Sequence, residues 1–396
     1  MYRSLLVLAT GVFAVGTDSF VIAGILPDLA ASLGVGTATA GQLISGYALI
    51  YAVLSPVMAA ATTRWRRKHV LLVGLGVFTA GNLVTAFVPS YEAVMGGRIL
   101  AGVGAAMITP AATTTAVMLA PEAKRGRAIA TVMTGLSAAT ALGSPIGTAL
   151  SSATNDWRVT MMFVVVLGVL AAAGVAFLLP PVAGPPSVGI RERLAPIGDL
   201  RITLTLATTA LLYGGLYTVY SYISLSFDRV TGGSGTTLAV LLFIWGAAAT
   251  VGTLGSGVLI DRFGNRRVIN TAVTVAAVDF VLLPWTSQYL ITAVIALIVW
   301  GICGWGALTP QTHRLIEVMP PAAPLLTGLG SATVYIGVSA APAIGAVGLA
   351  TVGPYYLGPV GAVLIALALV MAELAYHTIR RRAPVDKPVK TPVAQA

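Results

Sequence analysis

The sequence predicts an all-α polytopic membrane protein whose twelve transmembrane helices form two six-helix repeats. Three observations carry the prediction. Apolar runs long enough to cross a bilayer follow one another along the chain. The basic residues fall almost entirely in loops on one side of those runs. Landmarks of the first half recur in the second at a nearly fixed offset. Composition agrees, with 57% of residues hydrophobic and 9% charged, against about 25% charged in a soluble domain. A water-soluble fold of this composition would expose large apolar patches.

The apolar runs fall at 5–26, 41–62, 70–88, 93–112, 128–150 and 159–179, then at 202–226, 237–260, 268–286, 289–311, 325–350 and 355–377. The first follows a single early cation, Arg3, as a signal peptide would. It is too long for a typical signal core and contains Asp18, and many spans follow it, so it reads as a retained helix. The expected division is a first six-helix bundle over 1–179, a Pro/Gly-rich charged linker over 180–200, a second bundle over 201–379 and a tail over 380–396. The tail is expected to be disordered.

Of the 23 Lys and Arg residues, all but Arg98, Arg158 and Arg229 lie on the side of the N-terminus. Such asymmetry requires an even number of spans and places both termini in the cytoplasm of a cell (inner or plasma) membrane protein. It also accounts for the net charge of +10, which reads as a topology signal facing the lipid bilayer, not as a nucleic-acid footprint.

The halves echo one another. Thr109-Pro110 and Thr309-Pro310 lie 200 residues apart, as do Pro121 and Pro321; Pro145-Ile146-Gly147 matches Ala343-Ile344-Gly345 at an offset of 198. Tandem six-helix repeats are a transporter architecture with the binding site near mid-membrane between them. Enzyme and ATP-driven readings find no residues to rest on. Cys303 is the single cysteine, His69, His313 and His377 sit near span ends, and neither a His-Glu-x-x-His pair nor a phosphate-binding Gly-Lys loop occurs. No metal and no cofactor is expected, and the chain is expected to work as a monomer.

The stretch Arg98–Ala106 organises the reading. Arg98 sits inside an apolar run, where an arginine costs roughly 2.5 to 3.5 kcal/mol. Gly102 and Gly104 remove side chains one turn below it, so another helix can approach. With a rise of 1.5 Å per residue, Asp18 lies about 12–14 Å and Arg98 about 8–9 Å from the far ends of their runs, within reach of each other. The expectation is a proton-coupling pair facing one aqueous cavity; the alternative is a pair that only pins helices. Tyr213, Tyr217 and Tyr220 share one face of the seventh run. With Tyr47, Tyr51 and Trp305 they are candidates for an aromatic substrate wall, the alternative being ordinary packing. Asp279, mid-run, is expected to make a structural polar contact, the alternative being proton carriage, and Glu373 and His377 are expected to snorkel.

Gly257-Val-Leu-Ile-Asp261-Arg262-Phe-Gly264-Asn-Arg266-Arg267 lies between the eighth and ninth runs. It resembles the loop signature of the major facilitator superfamily, Gly-x-x-x-Asp-Arg-x-Gly-x-Arg-Arg. Gly257 is expected to permit close helix contact, Gly264 to allow a tight turn, and Asp261 to cap a helix or pair with an arginine. The first-half copy is degraded, with Thr63 where the acid would stand. Arg98-x-x-x-Gly102-x-Gly104 is similar to the fourth-span motif of proton-coupled members. Gly143-Ser-Pro145-Ile-Gly147 is similar, in part, to the antiporter motif. Gly16–Pro27 is similar to the first span of twelve-helix drug:proton antiporters, including chloramphenicol-resistance and arabinose-efflux-type proteins. The resemblance implies the major facilitator fold and efflux of small amphipathic compounds in exchange for protons. Sugar or metabolite efflux is the other transport reading; the scarcity of Asn and Gln in the runs, Asn82 and Gln42 among the few, favours drug-like molecules.

Overall fold

The computed structural model describes residues 2–182, 184 and 189–382. Twelve helices are long and apolar enough to span a membrane: α1 (Tyr2–Gly24), α2 (Thr37–Ala61), α3 (Arg67–Phe87), α4 (Tyr91–Leu119), α5 (Arg125–Thr154), α6 (Trp157–Leu178), α7 (Leu200–Tyr220), α8 (Gly235–Phe263), α9 (Asn265–Thr286), α10 (Leu290–Val318), α11 (Leu325–Thr351) and α12 (Pro354–Arg381). No strand occurs among the described residues. A spanning helix satisfies its own backbone polar groups, which hydrocarbon cannot do. The even number returns the end of α12 to the face where α1 begins, here termed the terminal face; the other is the distal face. Twelve spans agree with the sequence reading, and the tail from residue 383 lies outside the described residues.

The helix ends have local causes. Ser90, Asp156, Asp199 and Ser234 each accept a backbone N–H at the start of α4, α6, α7 and α8. Gly264 turns the chain from α8 into α9 at φ 79°, a backbone that L side chains disfavour. This matches the tight turn read from the loop signature. The fourth span outruns its apolar run because Thr113 and Thr115 return their hydroxyls to Thr109 O and Ala111 O, at 3.1 and 2.6 Å. The fifth is interrupted by a π-helical turn at Ala139–Gly143.

The first six helices pack mainly on one another, α4 against α2 and α3, and α1 against α5 and α6. The second six do likewise, α7 against α11 and α12, and α8 against α10. The two sets meet where α2 lies along α11 and α5 along α8. Small residues set these distances. A Cβ on Gly246 of α8 would lie 2.6 Å from Ala141 Cα of α5, so only glycine permits that crossing. In the linker, Arg193 donates to Ala59 O at 3.3 Å and the Arg67 N–H to Val182 O at 3.0 Å. The degraded first-half signature is therefore held by main-chain carbonyls, with Thr63 Oγ1 donating to Ala60 O at 2.8 Å.

Candidate functional site

Asp18 and Arg98 meet inside the first six helices. Arg98 Nη1 donates to Asp18 Oδ1 and Nη2 lies 3.4 Å from Asp18 O. Both side chains are buried, at 0% and 1% exposure. The glycines below Arg98 explain the fit: a Cβ on Gly102 would lie 2.9 Å from Tyr47 O of α2, and one on Gly104 would lie 2.6 Å from Gly74 O of α3. This close seating puts the Arg98 guanidinium 4.5 Å from the centre of the Tyr47 ring, a cation–π contact worth about 2 kcal/mol or more where water is excluded. Asn82 of α3 flanks the carboxyl. Asp18 Oδ2 and Arg98 Nε have no hydrogen-bond partner. One carboxylate oxygen is thus committed to the arginine, and the other is buried with Asn82 as its polar neighbour.

Beside this pair, hydroxyls lead into the second half. Ser19 Oγ donates to Val15 O at 2.9 Å, and it lies 3.2 Å from Tyr47 Oη and 3.3 Å from Tyr335 Oη of α11. The Tyr335 ring stacks on Tyr51 with centroids 3.8 Å apart. The charge pair is buried within one half, yet its sequence neighbour bonds the other half.

On the facing side stands a block of rings. Phe20 of α1 lies 6.3 Å from Tyr217, 6.1 Å from Tyr220 and 5.9 Å from Trp305. Tyr220 in turn packs on Trp245 and Trp300, at 4.8 and 6.3 Å. The three tyrosines of α7 share a face, as their spacing implies. Two of their hydroxyls are taken: Tyr213 donates to Gly304 O at 3.4 Å, and Tyr220 to Phe20 O at 3.1 Å. Tyr220 also lies 3.4 Å from Ser144 Oγ of the Gly143–Gly147 motif. That motif wedges α5 between neighbours: a Cβ on Gly143 would meet Thr17 Cβ of α1 at 2.9 Å, and one on Gly147 would meet Thr160 Cγ2 of α6 at 2.9 Å.

The hydrogen bonds between the spans of the two halves are Ser19–Tyr335, Tyr220–Phe20, Ser144–Tyr220 and Ser152–Thr236. Tyr222, just past α7, adds one to Ala38 O at 3.5 Å. Among the described residues these bonds run from mid-span to the distal face, and no span-to-span hydrogen bond joins the halves nearer the terminal face.

Other sequence expectations are corrected. Gly257 makes no close helix contact, since a Cβ there would have nothing within 4 Å. Among the described residues Asp261 caps no helix and pairs with no arginine; it is exposed, as are Arg262 and Arg267. Arg266 is engaged instead, reaching across to α12 and pairing with Glu373 at 2.5 Å. Glu373 therefore does not snorkel freely: Asn270 also donates to it, and His377 lies 3.8 Å away. Asp279 is buried, and its Oδ2 has no hydrogen-bond partner among the described residues, so that oxygen does not make the expected polar contact. Sequence reasoning missed Ser19, Phe20, Tyr335, Trp245 and Trp300. Ser19 adjoins Asp18 and Phe20 follows it, a signal that was available; Tyr335 and the tryptophans sit at ordinary places in their runs and nothing local marks them.

The sequence profile of the Major Facilitator Superfamily matches residues 8–323 and 209–395. The chain belongs to this superfamily. Relatives of this superfamily member include the uncharacterized MFS-type transporter YbcL of Bacillus subtilis (strain 168), 29% identical over 380 residues, covering 96% of this chain and 97% of that protein. The chloramphenicol resistance protein of Streptomyces lividans is 29% identical over 392 residues, covering 96% and 98%. Among solved structures, a bacterial homologue of the human lysosomal transporter Spinster, in an inward-facing and unoccupied conformation, superposes with a TM-score of 0.81 at 17% identity, covering 96% and 98%. That likeness is one of fold. The chain is thus a multi-pass membrane transporter of the major facilitator superfamily.

Proposed function

We propose that this transporter exports small amphipathic compounds in exchange for protons by alternating access. The observation that carries the reading is the buried Asp18–Arg98 pair, with one carboxylate oxygen bonded to the guanidinium and the other not, next to a hydroxyl contact between the halves. A proton on Oδ2 removes the charge that holds the guanidinium, loosens Arg98 and disturbs the Ser19 hydroxyls beside it. Loss of the proton restores the pair. A change in the carboxyl's charge is thereby tied to whether the halves stay joined at mid-membrane, which is what exchange transport requires.

The substrate class follows from the wall opposite. Phe20, Tyr217, Tyr220 and Trp305 are packed ring on ring with few free hydrogen-bonding groups, a lining that, once the halves part, suits flat, weakly polar molecules better than sugars. The resistance protein among the relatives agrees with this class. The driving force suffices: about 2.3 kcal/mol per charge at 100 mV supports a gradient of roughly 40–50-fold for a neutral substrate, before any pH gradient. The state described is joined toward the distal face, so release of substrate there requires breaking the Tyr220, Tyr222 and Ser152 contacts.

The test is uptake of a chloramphenicol-type compound into proteoliposomes under an imposed pH gradient. Asp18→Asn is expected to insert and fold but to lose gradient-driven transport while retaining substrate-binding fluorescence changes. Full gradient-driven transport by that variant would overturn the role of Asp18.

A further inference from the structure

On the terminal face, the α8–α9 turn and the ends of α10 and α12 enclose a pocket of ≈ 460 Å³ that no part of the transport reading uses. Four arginines line it, Arg266, Arg267, Arg314 and Arg380, with one carboxylate, Glu317. Of the two carboxylates nearby, Glu373 is held by Arg266 at 2.5 Å and Glu317 lies exposed, 3.4 Å from His313, so arginine charge remains in excess. Arg314 is 4% exposed, and among the described residues its guanidinium hydrogen-bonds only the Ala372 carbonyl, at 3.1 Å. Glu373 and Glu317 bear on it electrostatically without forming an ion pair. A buried guanidinium without a bonded counter-ion is costly, so the pocket is built for an anion from elsewhere. Arg267 is exposed and makes no hydrogen bond or ion pair among the described residues. The N-terminus of α9 opens into the same space with no side-chain cap, adding unpaired N–H groups and the positive end of a helix dipole.

The shape and depth select the anion. Arginine forks match the oxygens of a phosphate. The pocket lies at the ends of four spans, where a spanning segment passes from hydrocarbon to headgroups. Phe263, Tyr376 and Ile379 supply its apolar wall, and Leu259, one turn above Phe263 on the same side of α8, is 45% exposed. The first methylenes of an acyl chain leaving the pocket have an apolar surface to meet.

We propose that this pocket is a phosphate-binding site for the headgroup of an anionic phospholipid in the leaflet at the terminal face. Free phosphate shares the chemistry, and the experiment separates the two. The purified full-length protein in neutral detergent is titrated with dihexanoyl phosphatidylglycerol, with dihexanoyl phosphatidylcholine and with inorganic phosphate, and binding is read as thermal stabilisation. Phosphatidylglycerol is expected to stabilise saturably, and phosphatidylcholine and phosphate not to. Arg267→Ala/Arg380→Ala is expected to weaken phosphatidylglycerol binding roughly thirtyfold, the loss expected of two basic contacts. The control Arg64→Ala/Arg66→Ala removes the same charge from another loop of the same face and is expected to bind as the parent does. Equal stabilisation by inorganic phosphate would assign the site to the free ion and overturn the lipid. Equal weakening in the control, or no saturable binding, would overturn the site.

Discussion

Ser19 of α1 and Tyr335 of α11 share a hydroxyl contact of 3.3 Å across the boundary between the two halves. Ser19 is the residue after the carboxylate that Arg98 holds. Any movement of Asp18 therefore reaches Tyr335 through one peptide unit. Tyr335→Phe keeps the stack on Tyr51 but removes the hydroxyl. A neutral buried hydrogen bond is worth about 0.5–1.5 kcal/mol, so the variant is expected to slow gradient-driven transport roughly three- to tenfold with thermal stability little changed. Initial rates in proteoliposomes at fixed pH gradient measure this.

The charge pair itself makes a thermodynamic prediction. Arg98→Leu leaves Asp18 buried and uncompensated, and should destabilise the protein by about 3–5 kcal/mol. Asp18→Asn/Arg98→Leu removes both charges and should recover most of that loss. A double-mutant cycle on thermal unfolding in detergent checks it; equal destabilisation of the single and double variants would mean that the two residues are not coupled.

Asp279 predicts the opposite sign. Its Oδ2 is buried without a partner, so Asp279→Leu gives up no hydrogen bond there and ends a desolvation cost. The expected change is a stabilisation of about 1–3 kcal/mol, read as a higher unfolding temperature with transport retained.

Two glycines of α8 should behave differently despite sharing a helix. At Gly246 a side chain would strike Ala141 of α5, so Gly246→Leu must push the halves apart toward the distal face. At Gly257 a side chain meets nothing within 4 Å, so Gly257→Ala should stabilise α8 by up to about 1 kcal/mol. With Cys303 replaced by alanine, a cysteine at Ser152 reports the first effect: its labelling by a membrane-impermeant maleimide should rise in Gly246→Leu and stay unchanged in Gly257→Ala.

The signature between α8 and α9 shows where sequence reading stopped. Its glycine at 264 was legible because a positive φ leaves a residue-type mark. The partner of its charges was not, because Glu373 lies 107 residues away from Arg266 and nothing local announces it. The twelve spans were legible because a bilayer imposes length and polarity on each segment separately. The Asp18–Arg98 pair was legible because two charges in apolar runs at similar depth have few other partners. The aromatic block was half legible: spacing put the α7 tyrosines on one face, but the rings they meet come from α1, α8 and α10, whose phases about their axes are set only by packing.

The π-helical turn of α5 has a consequence for the whole molecule. One added residue in a helix rotates everything beyond it by about 100°. Before Ala139 and after Gly143, α5 therefore presents different angular phases of its surface. The stretch before the turn and the stretch after it need not share a single stripe, and one rod can be wedged on α1 while its Thr140 carbonyl abuts Gly246 of α8. Excising a single residue such as Ala141 would turn Pro145 and Gly147 away from their seats without altering the composition of any surface. A deletion of one alanine should thus be more damaging there than most substitutions nearby.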